Sequence, residues 1–88
     1  MAVSVTTHIP GLPGEAYDSM AAQQKEPLLA TPGFISHTAT VSPDGVTVVE
    51  IWDARDDWQR FFDENIKEHL PPGLPAPTVA ELRNVIGR

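Results

Sequence analysis

Five polar side chains in this sequence have the chemistry needed to move a proton or to hold an anion. His8 and His37 carry imidazoles, and histidine is the residue type that exchanges a proton near neutral pH. The Tyr17 hydroxyl and the Asn84 amide can each donate a hydrogen bond to a developing oxyanion. Glu50 adds a carboxylate, which serves either as a general base or as a fixed hydrogen-bond acceptor. The catalytic candidates are therefore His8, Tyr17, His37 and Asn84, with Glu50 as a group that lines the site.

Aromatic side chains close to Glu50 are suited to hold a flat molecule. Trp52 lies two residues after Glu50, so the two side chains share one face of a strand. Aromatic rings stack on planar ligands, and the candidate substrate-binding residues beside Glu50 are Trp52, Trp58 and Phe62. Each has an alternative role: Trp52 suits a core position equally well, and Trp58 and Phe62 more often pack in a core than bind.

Composition excludes several other classes of function. Twelve acidic and six basic residues give a net charge of −6, which argues against a nucleic-acid partner and against docking on an anionic membrane. The chain has no cysteine, and its three histidines lack the short spacing of a metal site, so we expect no metal. There is no glycine-rich phosphate loop, and we expect no cofactor. The start of the chain lacks a basic region followed by an apolar core, so we expect a cytoplasmic protein.

Hydrophobic periodicity predicts the order βαββαβ within one domain over residues 1–88. Alternating β-branched residues and helical stripes place strands at residues 2–9, 34–41, 46–53 and 78–86, and helices after residues 13 and 53. On the first helix, Tyr17, Met20, Ala21, Gln24 and Leu28 fall on one stripe. Pro27 should kink or end this helix near Lys25, and Asp53 should cap the second. This order is that of a ferredoxin-like α+β fold with a four-stranded antiparallel sheet.

The side of the sheet on which His37 lies depends on the hairpin at residues 42–45. A type I turn with a glycine bulge, which the Ser-Pro-Asp-Gly sequence favours, places His37 on the side opposite Glu50 and Trp52. A two-residue turn at Asp44–Gly45 would instead place His37 across from Trp52. A shift of one residue moves every side chain of a strand to the other face, so both registers stay open.

Three segments together carry a resemblance to a known family. Pro32-Gly33-Phe34 opens the second strand, Val49-Glu50-Ile51-Trp52 ends the third, and Asp56-Asp57-Trp58-Gln59-Arg60-Phe61-Phe62 begins the second helix. Over nearly its whole length the chain resembles the antibiotic biosynthesis monooxygenase-like family of the dimeric α+β barrel superfamily. The resemblance implies a homodimer whose two sheets meet face to face, with a small-molecule pocket between each sheet and its own helices.

The same resemblance implies a small-molecule enzyme as the leading hypothesis. Members of the family include cofactor-independent oxygenases of polyketide phenols, haem-degrading oxygenases, and isomerases or cyclases. We therefore expect an oxidoreductase or cyclase acting on a flat phenolic or polyketide-like molecule, with a non-catalytic dimer that binds a small aromatic molecule as the alternative. Haem degradation fits less well, because the positions that carry that branch's asparagine, tryptophan and histidine are occupied here by Ser4, Phe62 and Pro72.

Overall fold

The protein folds as one four-stranded sheet with two helices. The structure, a computed structural model, describes residues 1–70 and 73–87, with the backbone alone at residue 69. The elements are β1 (Val3–Pro10), α1 (Gly14–Ala30), β2 (Phe34–Ser42), β3 (Gly45–Trp52), α2 (Arg55–Phe61) and β4 (Thr78–Glu81). A π-helical segment at Phe62–Ile66 and a 3-10 turn at Lys67–His69 continue α2.

The sheet has the order β2-β3-β1-β4, and all neighbouring strands are antiparallel. With one helix after β1 and another after β3, this is the ferredoxin-like arrangement, and the predicted α+β class is confirmed.

Strand alternation separates the sheet into two different sides. On the side that faces the helices, Val3, Val5 and Trp52 are buried and pack with Leu28 and Phe61 in the core. The opposite side, which we call the open face, carries small and β-branched residues, among them Ser4, Thr6, His8, Thr38, Val49 and Ile51. Alternation in β1 was therefore predicted correctly, since a strand with one covered face places successive side chains on opposite sides.

Helix α1 runs through Pro27 to Ala30, so the predicted end near Lys25 is wrong. A proline costs a helix the hydrogen bond to the carbonyl four residues earlier, and here that carbonyl belongs to the exposed Gln23, where water can replace the lost donor. Buried Leu28 anchors the last turn against the sheet. The Thr31 hydroxyl then donates to the Pro27 carbonyl at 2.6 Å and closes the helix.

The second helix and the fourth strand also differ from the predicted boundaries. The residue at the N-cap of α2 is Ala54, whose carbonyl accepts from the Trp58 N–H, and no side chain caps the helix, so the predicted Asp53 cap is wrong. Strand β4 ends at Glu81, which pairs with Val3, the first residue of β1. One further hydrogen bond follows, from the Leu82 N–H to the Ala2 carbonyl at 2.9 Å, and the strand does not continue, so the predicted strand over residues 78–86 is wrong in its second half.

The hairpin between β2 and β3 has a register that neither sequence interpretation gave. Ser42 pairs with Gly45, leaving Pro43 and Asp44 as a two-residue loop, and His37 pairs directly with Glu50. The favoured register, which put His37 on the opposite side of the sheet from Glu50, is wrong; the alternative gave the correct side but paired His37 with Trp52 instead of Glu50. Gly45 is part of the sheet instead of the loop: at φ 146° its backbone packs so closely on the carbonyl of Ile9 that a Cβ would overlap it.

Candidate active site

A small cavity lies between the sheet and the two helices. Its volume is about 110 Å³, and its walls are mainly apolar side chains from both helices and β3, including Met20, Leu28, Val48, Trp58, Phe61 and Phe62. Engineered apolar cavities of roughly 150 Å³ hold a benzene molecule, so the enclosed space here suits about one aromatic ring. The polar groups in the lining are Thr7, Tyr17, Gln24, His37 and Glu50.

Three of these polar residues form a hydrogen-bonded chain that crosses from α1 to β3. The Tyr17 hydroxyl is 2.6 Å from Nε2 of His37, and Nδ1 of His37 is 2.6 Å from Oε2 of Glu50. The imidazole also lies nearly parallel to the Tyr17 ring, at 17° between planes. His37 is brought to Glu50 by the direct pairing of the two residues across β2 and β3.

The Glu50 carboxylate fixes the tautomer of His37. An ionised carboxylate only accepts hydrogen bonds, so the proton of the neutral imidazole lies on Nδ1 and donates to Glu50. Nε2 then carries the lone pair and accepts from the Tyr17 hydroxyl. This is the order of groups in a catalytic triad, with a tyrosine hydroxyl where a serine usually stands.

Tyr17 is held in its protonated form. Burial raises the pKa of the Tyr17 hydroxyl above its ordinary value, and the negative charges of Glu50 and Asp18 raise the pKa further. At neutral pH the hydroxyl is therefore a donor to His37, and its oxygen keeps a lone pair that can accept a proton from a ligand.

Trp52 supports this chain from the core and does not line the cavity. Its indole N–H donates to Oε1 of Glu50 at 3.0 Å, so both carboxylate oxygens have partners. The ring is fully buried and contacts Phe34 and Phe61. Trp52 therefore has the core role that was weighed against ligand stacking, while Trp58 and Phe62 border the cavity.

Two sequence candidates lie away from the cavity. His8 is on the open face of the sheet, where its Nδ1 is 2.9 Å from the hydroxyl oxygen of Thr47 and its Nε2 is 3.6 Å from a carboxylate oxygen of Asp44. Asn84 is exposed after the end of β4. The structure thus brings together Tyr17, His37 and Glu50 and separates them from His8 and Asn84.

Gln24 is a cavity residue that the sequence placed on the correct helical stripe without giving it a role. Tyr17, Met20, Ala21, Gln24 and Leu28 all line the cavity, as one face of α1. The signal that marks Gln24 is a polar residue among apolar ones on a buried stripe, since such a group needs a partner.

Residues 1–70 and 73–87 contain no group of three or more His, Asp or Glu side chains placed to hold a metal ion. No helix in this part of the chain is long and apolar enough to cross a membrane.

Comparison with known proteins gives a consistent result at the level of fold. Neither protein-family models nor curated proteins match the sequence. Among solved structures, a haem-degrading protein from Mycobacterium tuberculosis superposes with a TM-score of 0.71 at 18% identity, over 99% of this chain and 100% of the other. The cofactor-independent oxygenase SnoaB from Streptomyces nogalater gives 0.65 at 13% identity, over 99% and 97%.

A third solved structure, the monooxygenase ActVA-Orf6 of Streptomyces coelicolor with bound nanaomycin D, gives a TM-score of 0.64 at 22% identity, over 99% of this chain and 91% of the other. Identities this low establish shared architecture and leave substrate and reaction to be argued from the site itself. The chain has the ferredoxin-like α+β fold of these proteins, which confirms, at the level of fold, the resemblance to the antibiotic biosynthesis monooxygenase-like family.

Proposed function

We propose that this protein is a small-molecule enzyme that removes a proton from a flat hydroxyaromatic or polyketide-like substrate. The observation that carries the proposal is the Tyr17–His37–Glu50 chain on the wall of an apolar cavity. Small-molecule sites commonly combine apolar walls with a few convergent polar groups. Two of the solved structures with this fold are described as a cofactor-independent oxygenase and a monooxygenase, which supports the same class of reaction.

The proton would leave the substrate through Tyr17. A ligand hydroxyl or acidic ring C–H donates to the Tyr17 oxygen while the Tyr17 proton moves to Nε2 of His37. The imidazolium that forms keeps its Nδ1–H on the Glu50 carboxylate, 2.6 Å away, and this negative charge stabilises it. The apolar walls strengthen that interaction because they exclude water from the site.

Molecular oxygen would be the second reactant of an oxygenation. Loss of a proton from a ring CH₂ group gives a carbanion delocalised into the phenolate, and this anion passes electrons to O₂ and forms a C–O bond. The resulting peroxide anion takes up the proton to give a hydroperoxide, which loses water and leaves a ketone. One atom of O₂ enters the product and the other leaves as water, so the protein supplies a base and a pocket. In a cyclisation or isomerisation, the same carbanion reacts within the substrate.

The site does not fit a haem group. Both imidazole nitrogens of His37 are already hydrogen-bonded, to Tyr17 and to Glu50, so His37 offers no lone pair to an iron atom. Of the three positions compared with the haem-degrading branch, Ser4 lies on the open face of the sheet. Phe62 lines the cavity, and Pro72 lies outside the described residues. The haem-degrading alternative is therefore not retained.

Within the same proposal the chain acts as a single domain over residues 1–88, as a homodimer, in the cytoplasm. The open face supports the dimer: Val49 is 36% exposed on a central strand, beside threonine and isoleucine side chains that a helix would normally cover. A second copy of this sheet would cover the face, and specific interfaces of this kind bury more than about 1,000 Å².

Turnover of simple hydroxyaromatics tests the proposal. We would incubate the protein with anthrone and with several naphthols under air, and follow oxygen uptake and product formation. The expected result is oxygen-dependent turnover of at least one compound that falls about 100-fold or more in His37→Gln and Tyr17→Phe, the range for loss of a general acid–base group.

The matched control is His8→Gln, a histidine substitution on the other side of the sheet, which should keep turnover. Binding of these compounds without any turnover would favour the alternative of a non-catalytic dimer. Equal turnover in the wild type and in His37→Gln would contradict the proton relay.

A further inference from the structure

Gln24 lines the cavity, and its side-chain oxygen is buried without a hydrogen-bond partner. Within residues 1–70 and 73–87, its Oε1 is the one buried side-chain polar atom that no donor reaches. Buried polar groups in folded proteins are almost always paired, so an exception needs an explanation. The Tyr17 hydroxyl does not supply the missing donor, because it donates to His37.

The position of Gln24 relative to Tyr17 sets a length scale. The two residues are seven positions apart on the same face of α1, which corresponds to about 10 Å along the helix axis. The stretch of helix between them presents Met20 and Ala21, which are apolar. The wall formed by α1 is therefore a hydrophobic strip with a proton-exchanging group at one end and an acceptor at the other.

Gln24 also lines a wider groove beside the cavity. The groove, about 650 Å³, runs between α1 and the edge strand β2, and its lining shares Ala21, Gln24, Leu28 and His37 with the cavity. Gln24 therefore borders both spaces, and a ligand with more than one ring would occupy part of each.

We propose that Gln24 is a specificity-determining residue that selects substrates carrying a second hydroxyl or N–H group at the end opposite the one that meets Tyr17. An amide oxygen accepts and cannot donate, so the ligand group must be a donor. If the two side-chain tips keep the axial spacing of about 10 Å, a hydrogen bond of about 2.8 Å at each end places the two ligand heteroatoms roughly 5 to 10 Å apart. One ring or two fused rings with hydroxyls at opposite ends match that span. This inference rests on the proposed function.

A pair of ligands that differ by one hydroxyl tests it. Calorimetric titration would compare a naphthol with the naphthalenediol that carries its hydroxyls at opposite ends of the ring system. The wild type should bind the diol about 3 to 10 times more tightly, the range for one net hydrogen bond. Gln24→Met, which keeps length and helix propensity, should reduce this ratio to about one and bind the naphthol at least as well as the wild type.

Two other variants complete the experiment. Gln24→Glu retains an acceptor oxygen and should keep the preference for the diol. Gln23→Met makes the same change at the neighbouring, exposed position of α1 and should behave as the wild type. Thermal unfolding of each variant shows whether it is folded.

The outcomes separate this inference from the function on which it rests. Equal affinity of the wild type for both ligands, or an unchanged preference in Gln24→Met, overturns the role of Gln24 and leaves the proposed function standing. Loss of the preference in Gln24→Glu overturns it as well, because the inward atom would then be the amide nitrogen. Failure of both ligands to bind overturns the proposed function and, with it, this inference.

Discussion

Replacing Glu50 by glutamine should reverse the tautomer of His37. The indole N–H of Trp52 can only donate, so the glutamine must turn its oxygen towards Trp52, as Oε1 of Glu50 does at 3.0 Å. The amide NH₂ group then faces Nδ1 of His37, which has to become the acceptor. The imidazole proton moves to Nε2, and the lone pair that faced Tyr17 is lost.

The consequences of this change can be estimated from the contacts. The variant keeps the shape of the site and both hydrogen bonds, but a neutral amide replaces a charged acceptor, which costs about 1–2 kcal/mol of the free energy of unfolding. For a chain of this size, that corresponds to a fall of about 10 °C in Tm. Turnover should fall far more than stability, by about 10²- to 10⁴-fold, because no base remains to accept the Tyr17 proton.

Nitrogen NMR of the imidazole measures the tautomer directly. The wild type should show a protonated Nδ1 for His37 and the Glu50→Gln variant a protonated Nε2. Glu26→Gln, the same substitution at an exposed position of α1, is the control and should change neither tautomer nor turnover. An unchanged His37 tautomer in Glu50→Gln, or a protonated Nε2 in the neutral wild-type imidazole, would refute the assigned direction of the hydrogen bonds.

Three further predictions concern the phenol, the core and the open face. The chain has one tyrosine, so tyrosinate absorbance reports the titration of Tyr17 alone. The midpoint pH of this titration should lie above about 10 in the folded protein and return to about 10 in urea. Because the pKa of Tyr17 is raised in the folded protein, the stability linked to Tyr17 is complete below pH ~10 and is lost as the pH rises through the folded pKa. A titration midpoint at or below about 10 in the folded protein would contradict the burial of Tyr17. Trp52→Phe removes a fully buried indole and the hydrogen-bond donor to Glu50, so urea unfolding should show a free energy of unfolding lower by about 3 kcal/mol. A decrease below ~1 kcal/mol would argue against the core role of Trp52. Val49→Asp puts a charge on the open face, and light scattering should show that this variant is a monomer and the wild type a dimer. Gln23→Asp, on the exposed side of α1, is the control and should remain a dimer. A monomeric wild type would contradict the proposed dimer.

The elements of this fold were predictable where the pattern is local. Alternation in β1 correctly separated Val3 and Val5 from Ser4 and Thr6, because one side of the strand is covered and the other is not. The stripe on α1 that begins at Tyr17 was predicted for the same reason, and it lines the cavity in the structure.

The position of His37 was not predictable, because the sequence of the 42–45 turn suits loops that differ by one residue. The choice between them is made by β1, a strand distant in sequence. Gly45 pairs with Pro10 and approaches the Ile9 carbonyl too closely for any side chain, while the Gly11 N–H donates to the Asp44 carbonyl at 2.7 Å. The hydrophobic pattern around residues 42–45 does not report a contact with β1. The register of the hairpin, and the face of the sheet on which His37 lies, therefore depend on the tertiary structure.

The end of β4 depended on long-range pairing in the same way. Apolar Val85 and Ile86 suggested a strand, yet they are 60% and 89% exposed, and the pairing of β4 with β1 ends at Glu81, opposite Val3. Asn84 follows the end of β4 and lies outside the site, because the length of β4 is limited by its pairing with β1.

The central claim is that His37, through Tyr17, takes a proton from a bound hydroxyaromatic. The most direct test is the absorption spectrum of a phenol whose anion absorbs at longer wavelength, recorded at neutral pH, well below the pKa of the free phenol, with the protein in excess. The wild type should bind it as the phenolate, while His37→Gln and Tyr17→Phe should bind it as the neutral phenol. A phenol that binds the wild type and stays neutral, or one that ionises equally in His37→Gln, would contradict the claim.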